Sequence, residues 1–489
     1  MLRLLRSGVV RSGSGVALAL LAAGFAVSAA DIWSYDAWIM AQVTHSMVYD
    51  GNFLVHEDPF NLSMPYSSYG IGMSLLMVVP ELLGPLLNRS VNNLNALINP
   101  VVAAATGVVV WRLARALGVT TRRAAAIALI MVLATPMLPY AASTFSEPAT
   151  AFGVALGLLG LELVRRRELL GALLAGIGVG IAVLVRVDSA LLIAPVLAIG
   201  VFVAARRRIA ATLVFGAGAL PAFAIVAWYN IVRYGTPLVS QYQGMSPSRA
   251  FGHPFLSGLY GLTLSPARGL LVFAPLALVA VVGARWLWRR SRVMTIVCLV
   301  LIVDRLLFYA SWYSWHAGTG WGPRFLVPAL PALAPFLVEV VRRLPDARTT
   351  ARLAFAALVG VSFAVQVVGA TTSPGQDKLM AAIAVNEKSV PLRESLMAKF
   401  TSAEQMEAWD RALMDWSVSP VLDHARQLVR GENLAGRFLS PQPRPLPLIL
   451  QGVLLVAGLL LAFVRARKAE ENAAPHRTDV PEEASAAAG

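Results

Sequence analysis

A small set of carboxylates and arginines stands at the edges of long apolar stretches in this chain, and their types invite chemistry. Asp31 and Asp36 follow nineteen uncharged residues, Ser12 to Ala30. Glu147 lies in SEPAT (146–150), Arg186 and Asp188 are two residues apart, and Arg233, Gln241 and Tyr242 share one connection. Arg268 lies in SPARGL, while His316 and Arg324 lie in WHAGTGWGPR. A carboxylate at a helix end, partly shielded by apolar neighbours, can take the proton of a hydroxyl. A guanidinium can grip a phosphate through two parallel hydrogen bonds. Each residue also has an ordinary reading. Polar side chains collect in connections, Arg186 and Asp188 can pair across a tight turn, and Ser146 suits a helix cap with Pro148 in the first turn. His316 among Trp312, Trp315 and Trp321 fits an interfacial aromatic belt.

The elements that hold these residues follow from composition. With hydrophobic residues at 57% and charged residues at 14% of 489, there is too little polar surface to cover a soluble globule. An all-α polytopic membrane protein is expected, with roughly twelve spans of about 20 residues each: 12–30, 93–112, 124–141, 147–164, 169–185, 189–205, 209–229, 268–284, 293–311, 325–341, 350–370 and 446–464. The net charge of +14 sits in clusters that flank these spans, such as Arg112 to Arg123, Arg165 to Arg167, Arg206 to Arg208, Arg285 to Arg292 and Arg342 to Arg348. That pattern is an orientation signal and not a nucleic-acid surface. It places the clusters and both termini in the cytoplasm, and the chemistry-bearing residues on the extracytoplasmic side, as expected for a bacterial-type plasma membrane.

One apolar stretch, GIGMSLLMVVPELLGPLL (70–87), breaks this alternation if it crosses. Pro80, Glu81 and Pro85 disfavour a span, so it is expected to lie as an interfacial helix within a first external loop of residues 31–92. AVSAA (26–30) resembles a signal-peptide cleavage site, a competing reading of the first span. Residues 371–445 form the second external segment, where TSAEQ (401–405) signals a helix start ahead of Trp409 and Met414. The tail from Lys468 onward, rich in Ala, Glu and Pro, reads as disordered.

Rival machinery is thin. GIGVG (176–180) lies within a span and reads as close helix packing. No phosphate-binding loop of the ATPase type appears. The single Cys298 excludes a disulfide framework, and the six histidines lack ligand spacing. No cofactor is expected, since a divalent metal between Asp36 and Glu147 would require both side chains to converge.

The ordered set YDAWIMAQVTHSMVYDGNF (35–53), SSYGIGMSLLMVVPELLG (67–84), YAASTFSEPATA (140–151), RYGTPLVSQYQG (233–244), SPARGLLVFAPL (265–276), WYSWHAGTGWGPRFLVPALP (312–331) and DWSVSPVLDHARQL (415–428) resembles GT-C superfamily glycosyltransferases. These are multispanning enzymes related to protein O-mannosyltransferases and to the aminoarabinose transferase of lipid A. The resemblance implies transfer of a sugar from a polyprenyl-phosphate donor to an acceptor hydroxyl on a glycan, lipid or protein. It also implies Asp36 as the base, with Asp31 ranked second, and Glu147 as the acidic residue of the second external loop. A second acid often follows the first in the superfamily, whereas Ala37 follows Asp36 here. Arg324, Arg268 and Arg186 are the expected phosphate contacts, with His316 and Tyr242 as further substrate contacts. The alternative is a transporter or flippase of polyprenyl-linked glycans, suggested by Asp304 and Arg305 inside a span.

Overall fold

In a lipid interior a peptide group finds its hydrogen-bond partner only within its own helix or a closed barrel, and long runs of Leu, Ala, Val and Gly here form helices. The computed structural model describes residues 8–28, 32, 34–56, 65–238, 247–318, 320–372, 410–434 and 451–463. The larger helices are α1 (Gly8–Val27), α2 (Tyr35–His45), α3 (Ile71–Leu86), α4 (Ile98–Ala116), α5 (Thr121–Leu133), α6 (Glu147–Val164), α7 (Glu168–Val185) and α8 (Ala194–Ala204). They continue as α9 (Arg208–Tyr234), α10 (Phe255–Leu264), α11 (Val279–Arg290), α12 (Arg292–Ala310), α13 (Ala334–Arg343), α14 (Thr349–Thr371), α15 (Pro420–Arg430) and α16 (Gln451–Phe463). Two isolated bridges, Leu54 to Tyr66 and Thr372 to Leu434, are the only β pairing among the described residues.

Seven helical stretches are long and apolar enough to cross a membrane, and five shorter apolar helices accompany them. Several of the expected spans are therefore interrupted, and proline accounts for most breaks. The expected span 124–141 stops at Leu133 and resumes only at Met137, because Pro136 supplies no amide hydrogen. The span 268–284 is divided around Pro275, and that at 189–205 around Ile193 and Pro195. The span 325–341 begins as a tight 3-10 stretch, Arg324–Leu333, carrying Pro328 and Pro331, before α13 takes over.

Helix α3 occupies the stretch expected to lie at the interface. It buries Met73, Met77 and Glu81 against its neighbours and exposes Leu75, Leu82 and Leu86. Thr44 on α2 donates to the Ser74 carbonyl (3.1 Å), and Ser74 donates back to the Met40 carbonyl (2.9 Å), so α2 and α3 form one rigid pair. The helix start expected at TSAEQ and the tail from Lys468 lie outside the described residues; residues 410–414 are helical and lead to α15.

The molecule has two chemically distinct ends. At one, the Leu117 carbonyl accepts from Arg290 (2.5 Å) and Arg342 (2.6 Å), and the Ala116 carbonyl from Arg166 (3.1 Å). Buried Glu339 lies 2.6 Å from Arg343 and 3.6 Å from Arg342. Four arginine clusters thus meet there. Helix α6 runs from this end to Glu147, and α7 returns alongside it to Arg186. At 1.5 Å per residue, the two ends lie roughly 27 Å apart.

Close packing of α6 on α7 sets that length. A Cβ on Gly153 would stand 2.5 Å from the Gly178 carbonyl, and one on Gly178 would stand 2.5 Å from the Gly157 nitrogen. Gly178→Val must push the helices apart and should lower stability in detergent by about 1–3 kcal/mol. Gly216→Ala, whose Cβ meets nothing within 4 Å, should leave the thermal midpoint unchanged or raised. Equal effects of the two changes would contradict this packing.

Candidate active site

Asp36 sits in the first turn of α2. The turn is fixed by Ser34, whose side chain accepts from the Ala37 amide (3.2 Å). A carboxylate there is favoured by the free amides of the helix start. Its two oxygens are separately held: Oδ1 accepts from the Tyr69 hydroxyl (2.8 Å), and Oδ2 is paired with Arg324. Tyr69 is itself held in place. Arg233, lying 3.6 Å over the Tyr229 ring, donates to the Ser67 carbonyl (2.5 Å) just before it. Burial first, and then the Asp36 charge, push the Tyr69 phenol well above its ordinary value, so it stays a donor.

Arg324 reaches across to Glu147, its Nε lying 2.7 Å from Oε1, while its guanidinium rests 4.0 Å over the Phe145 ring. Glu147 opens α6 and is 0% exposed. The same Oε1 accepts from Arg186 (2.7 Å), and Oε2 has no hydrogen-bond partner among the described residues. Arg186 continues to Asp188 (3.4 Å), which is also paired with Arg305 (3.5 Å) and with the Tyr309 hydroxyl. Burial would raise the Asp188 carboxyl, but Arg186 and Arg305, with the Tyr309 hydrogen bond, bring it down to about 2. Asp36, Glu147 and Asp188 therefore alternate with Arg324, Arg186 and Arg305 in one unbroken chain whose formal charges cancel.

Arg268 and His316 form a neighbouring unit. Arg268 donates to the carbonyls of His316 (2.9 Å), Ala267 (2.7 Å) and Gly318 (2.5 Å). It thereby braces a turn in which Ala317 and Gly318 are both left-handed. The Gly318 amide donates to His316 Nδ1 (3.1 Å), which leaves the ring proton on Nε2. Burial, reinforced by Arg268, holds His316 down to about 3, so it serves as a neutral donor. Tyr140 borders the site as well: a Cβ on Gly320 would meet its hydroxyl at 2.6 Å and Arg324 Cδ at 3.1 Å. That hydroxyl is buried without a hydrogen-bond partner among the described residues.

Asp36, Glu147, Arg186 and Arg324 are thus brought together, while Arg268 and His316 are joined to each other. Asp31 and Tyr242 lie outside the described residues. The tryptophans expected to offer faces to a sugar are engaged in packing: Trp321 against Phe273 (5.0 Å) and His424 (5.2 Å), Trp312 against Phe308 (6.0 Å). Trp315 donates to Asp410 (3.0 Å), which His253 (2.8 Å) and Ser257 (3.0 Å) also hold. Burial opposes ionisation of Asp410, yet these bonds keep its carboxyl below the usual range. Ser146 heads α6 without a side-chain cap, lying instead 3.4 Å from Arg186.

Tyr69, Tyr140 and Tyr309 were not among the expected site residues, and Arg305 had been read as a transporter feature. The spacing of Arg305 and Tyr309 by four puts them on one helix face and was the available signal. Asp304, the next residue, makes no ion pair with a described residue, and its Oδ1 is buried without a hydrogen-bond partner among them. Among the described residues no three His, Cys, Asp or Glu side chains converge as metal ligands. The guanidinium of Arg324 occupies the place between Asp36 and Glu147.

No protein-family profile matches the sequence, and no curated protein does. Solved structures match in fold. The oligosaccharyltransferase of Archaeoglobus fulgidus, in complex with Zn and sulfate, is similar over 83% of this chain at 16% identity and a TM-score of 0.51. Apo ArnT from Cupriavidus metallidurans is similar over 86% at 15% identity and a TM-score of 0.50. The fold is that of the GT-C glycosyltransferases. The chain spans 61% of the oligosaccharyltransferase's length, less than two thirds of it, and 77% of ArnT's.

The charge chain generates a stability prediction. Asp188→Asn leaves Arg186 and Arg305 sharing no carboxylate at that point and should cost about 3–5 kcal/mol, as breaking buried pairs does. Asp304→Asn, outside the chain of ion pairs, should cost less than about 1 kcal/mol. Thermal unfolding of the two variants in detergent checks the difference, and similar losses would count against the network.

Proposed function

We propose that this protein is a membrane glycosyltransferase that moves a sugar from a polyprenyl-phosphate donor to an acceptor hydroxyl at the extracytoplasmic face. The observation that carries the reading is Arg324 bridging Asp36 and Glu147 at the end of the bundle opposite the arginine clusters. The positive-inside rule assigns those clusters to the cytoplasm, and the length of α6 separates them from the site.

A carboxylate held by a tyrosine and an arginine has both its oxygens engaged. A donor phosphate competes for the Arg324 fork, which matches phosphate as well as carboxylate. As the guanidinium turns to phosphate, Asp36 keeps the Tyr69 bond that aims it, and its Oδ2 is freed for the acceptor proton. The acceptor oxygen then bonds to the sugar C1 as the C1–O bond to phosphate breaks. The acceptor proton passes to Asp36, and the polyprenyl phosphate leaves with a second negative charge facing Arg324 and Arg186. Glu147, fully buried, keeps both guanidiniums on station. Arg268 aims the His316 Nε2–H, a neutral donor suited to a sugar hydroxyl or a phosphate oxygen. The acceptor is a hydroxyl of a glycan, lipid or protein.

Two measurements test this. With purified protein and a polyprenyl-phosphate sugar, Asp36→Asn should lower turnover by on the order of 100-fold or more with donor binding retained. Arg324→Lys and Arg268→Lys should lower turnover more than donor affinity, and Ala at either position should be worse than Lys, because the second phosphate charge exists only as the bond breaks. Turnover near wild type in Asp36→Asn sinks the base. Separately, a Cys298→Ser background carrying single cysteines should be labelled from outside at the exposed Ser90, and at Arg207 only after permeabilisation. The reverse pattern would put the site on the wrong side for this reaction.

A further inference from the structure

At the basic end, roughly 27 Å from Glu147 along α6, a cavity of about 300 Å³ opens between the end of α6, the end of α8 and the junction of α11 with α12. Glu162 lines it from α6; it is 6% exposed and makes no hydrogen bond or ion pair with any described residue. Arg165, Arg290 and Arg292 line it from three different elements, and Val203 and Met294 supply apolar wall. Arg290 is partly engaged by the Leu117 carbonyl (2.5 Å) and lies 3.9 Å from Glu339. Arg165 makes no hydrogen bond to a described residue, and Arg292 only lies over the Trp288 ring (5.7 Å), itself 45% exposed.

We propose that this cavity binds the phosphoethanolamine headgroup of a membrane phospholipid, its ammonium on Glu162 and its phosphate on Arg165, Arg290 and Arg292. A carboxylate that reaches a cavity, with the charges of Arg165, Arg290 and Arg166 near it but no hydrogen bond from any described residue, can take a cation that donates hydrogen bonds. Convergent guanidiniums at the rim call for an anion. Phosphatidylethanolamine carries both, two carbons apart. Arginines that merely snorkel would spread along the interface and need no acid beneath them. The cavity also has a place for acyl chains. Helices α8 and α12 touch where a Cβ on Gly200 would lie 2.8 Å from Val297, and they expose Ile199 and Val203 beside Ile296 and Val300. An exposed Trp at the same level marks a headgroup boundary.

Native mass spectrometry of the full-length protein in detergent, titrated with phosphatidylethanolamine, phosphatidylcholine and phosphatidylglycerol of matched chains, tests the proposal. Phosphatidylethanolamine should bind at least about tenfold more tightly than either other lipid, the value of one charged hydrogen bond. Trimethylation removes the donors that Glu162 needs, and glycerol removes the charge. Glu162→Gln should abolish the preference, and Arg165→Gln with Arg292→Gln should weaken all three lipids. The rim arginines are exposed, so this second pair keeps the test decisive if Glu162→Gln does not fold. Equal binding of phosphatidylglycerol by the wild type overturns the proposal, as does a preference surviving Glu162→Gln or rim variants that bind like wild type. Inorganic phosphate or free phosphoethanolamine that displaces the lipid at equal concentration would assign the site to a soluble ligand instead.

Discussion

A buried charge is tolerated only when it is paired, and the structure depends on that constraint at Arg324. Its guanidinium joins α2, through Asp36, to the head of α6, through Glu147. Removing it would leave Asp36 with the Tyr69 hydroxyl alone and Glu147 with Arg186 alone. The requirement propagates: Glu147 also carries Arg186, Arg186 carries Asp188, and Asp188 carries Arg305 and Tyr309. Because the charges balance, the chain of ion pairs is stable as a unit and unstable in parts. It is also poised, since an entering anion can be met only by redirecting a guanidinium that already has a carboxylate.

The broken helices belong to the same arrangement. The 3-10 stretch Arg324–Leu333 keeps Arg324 and Phe325 at the site, with Phe325 stacked 4.1 Å from the Tyr309 ring and Arg186 5.4 Å above it. Prolines 328 and 331 preserve that geometry by removing two amides that an α-helix would need. A left-handed turn at Ala317 and Gly318, braced by Arg268, similarly places His316 where no regular element would.

The two ends of the bundle use arginine differently. At the site end guanidiniums face carboxylates from other elements and are fixed by them. At the basic end they donate largely to helix-terminal carbonyls, as Arg290 and Arg342 do at Leu117, or stay open toward solvent and headgroups. Of the acids among them, Glu339 is paired with Arg343, Glu168 accepts from the Arg207 amide, and Glu162 makes no hydrogen bond or ion pair with a described residue.

Much of this was legible in the amino-acid order. Composition alone decides that the chain is helical and membrane-spanning, because lipid leaves the backbone few alternatives. Helices α6, α7, α9, α12 and α14 lie within a few residues of the expected spans, since long apolar runs bounded by arginine have one reading. Asp36, Glu147, Arg186 and Arg324 could be singled out as polar residues at the rims of such runs. Their pairing could not, because Asp36 and Arg324 are 288 residues apart and no local rule links them. The breaks at Pro136, Pro275 and Pro195 were visible as prolines but not as interruptions, since proline also occurs inside membrane helices when neighbours satisfy the freed carbonyl. Which of the arginines meet acid, which brace a turn and which line a cavity was decided only by the packing. A side chain's charge is written in the sequence, but its partner depends on which helices the fold brings side by side.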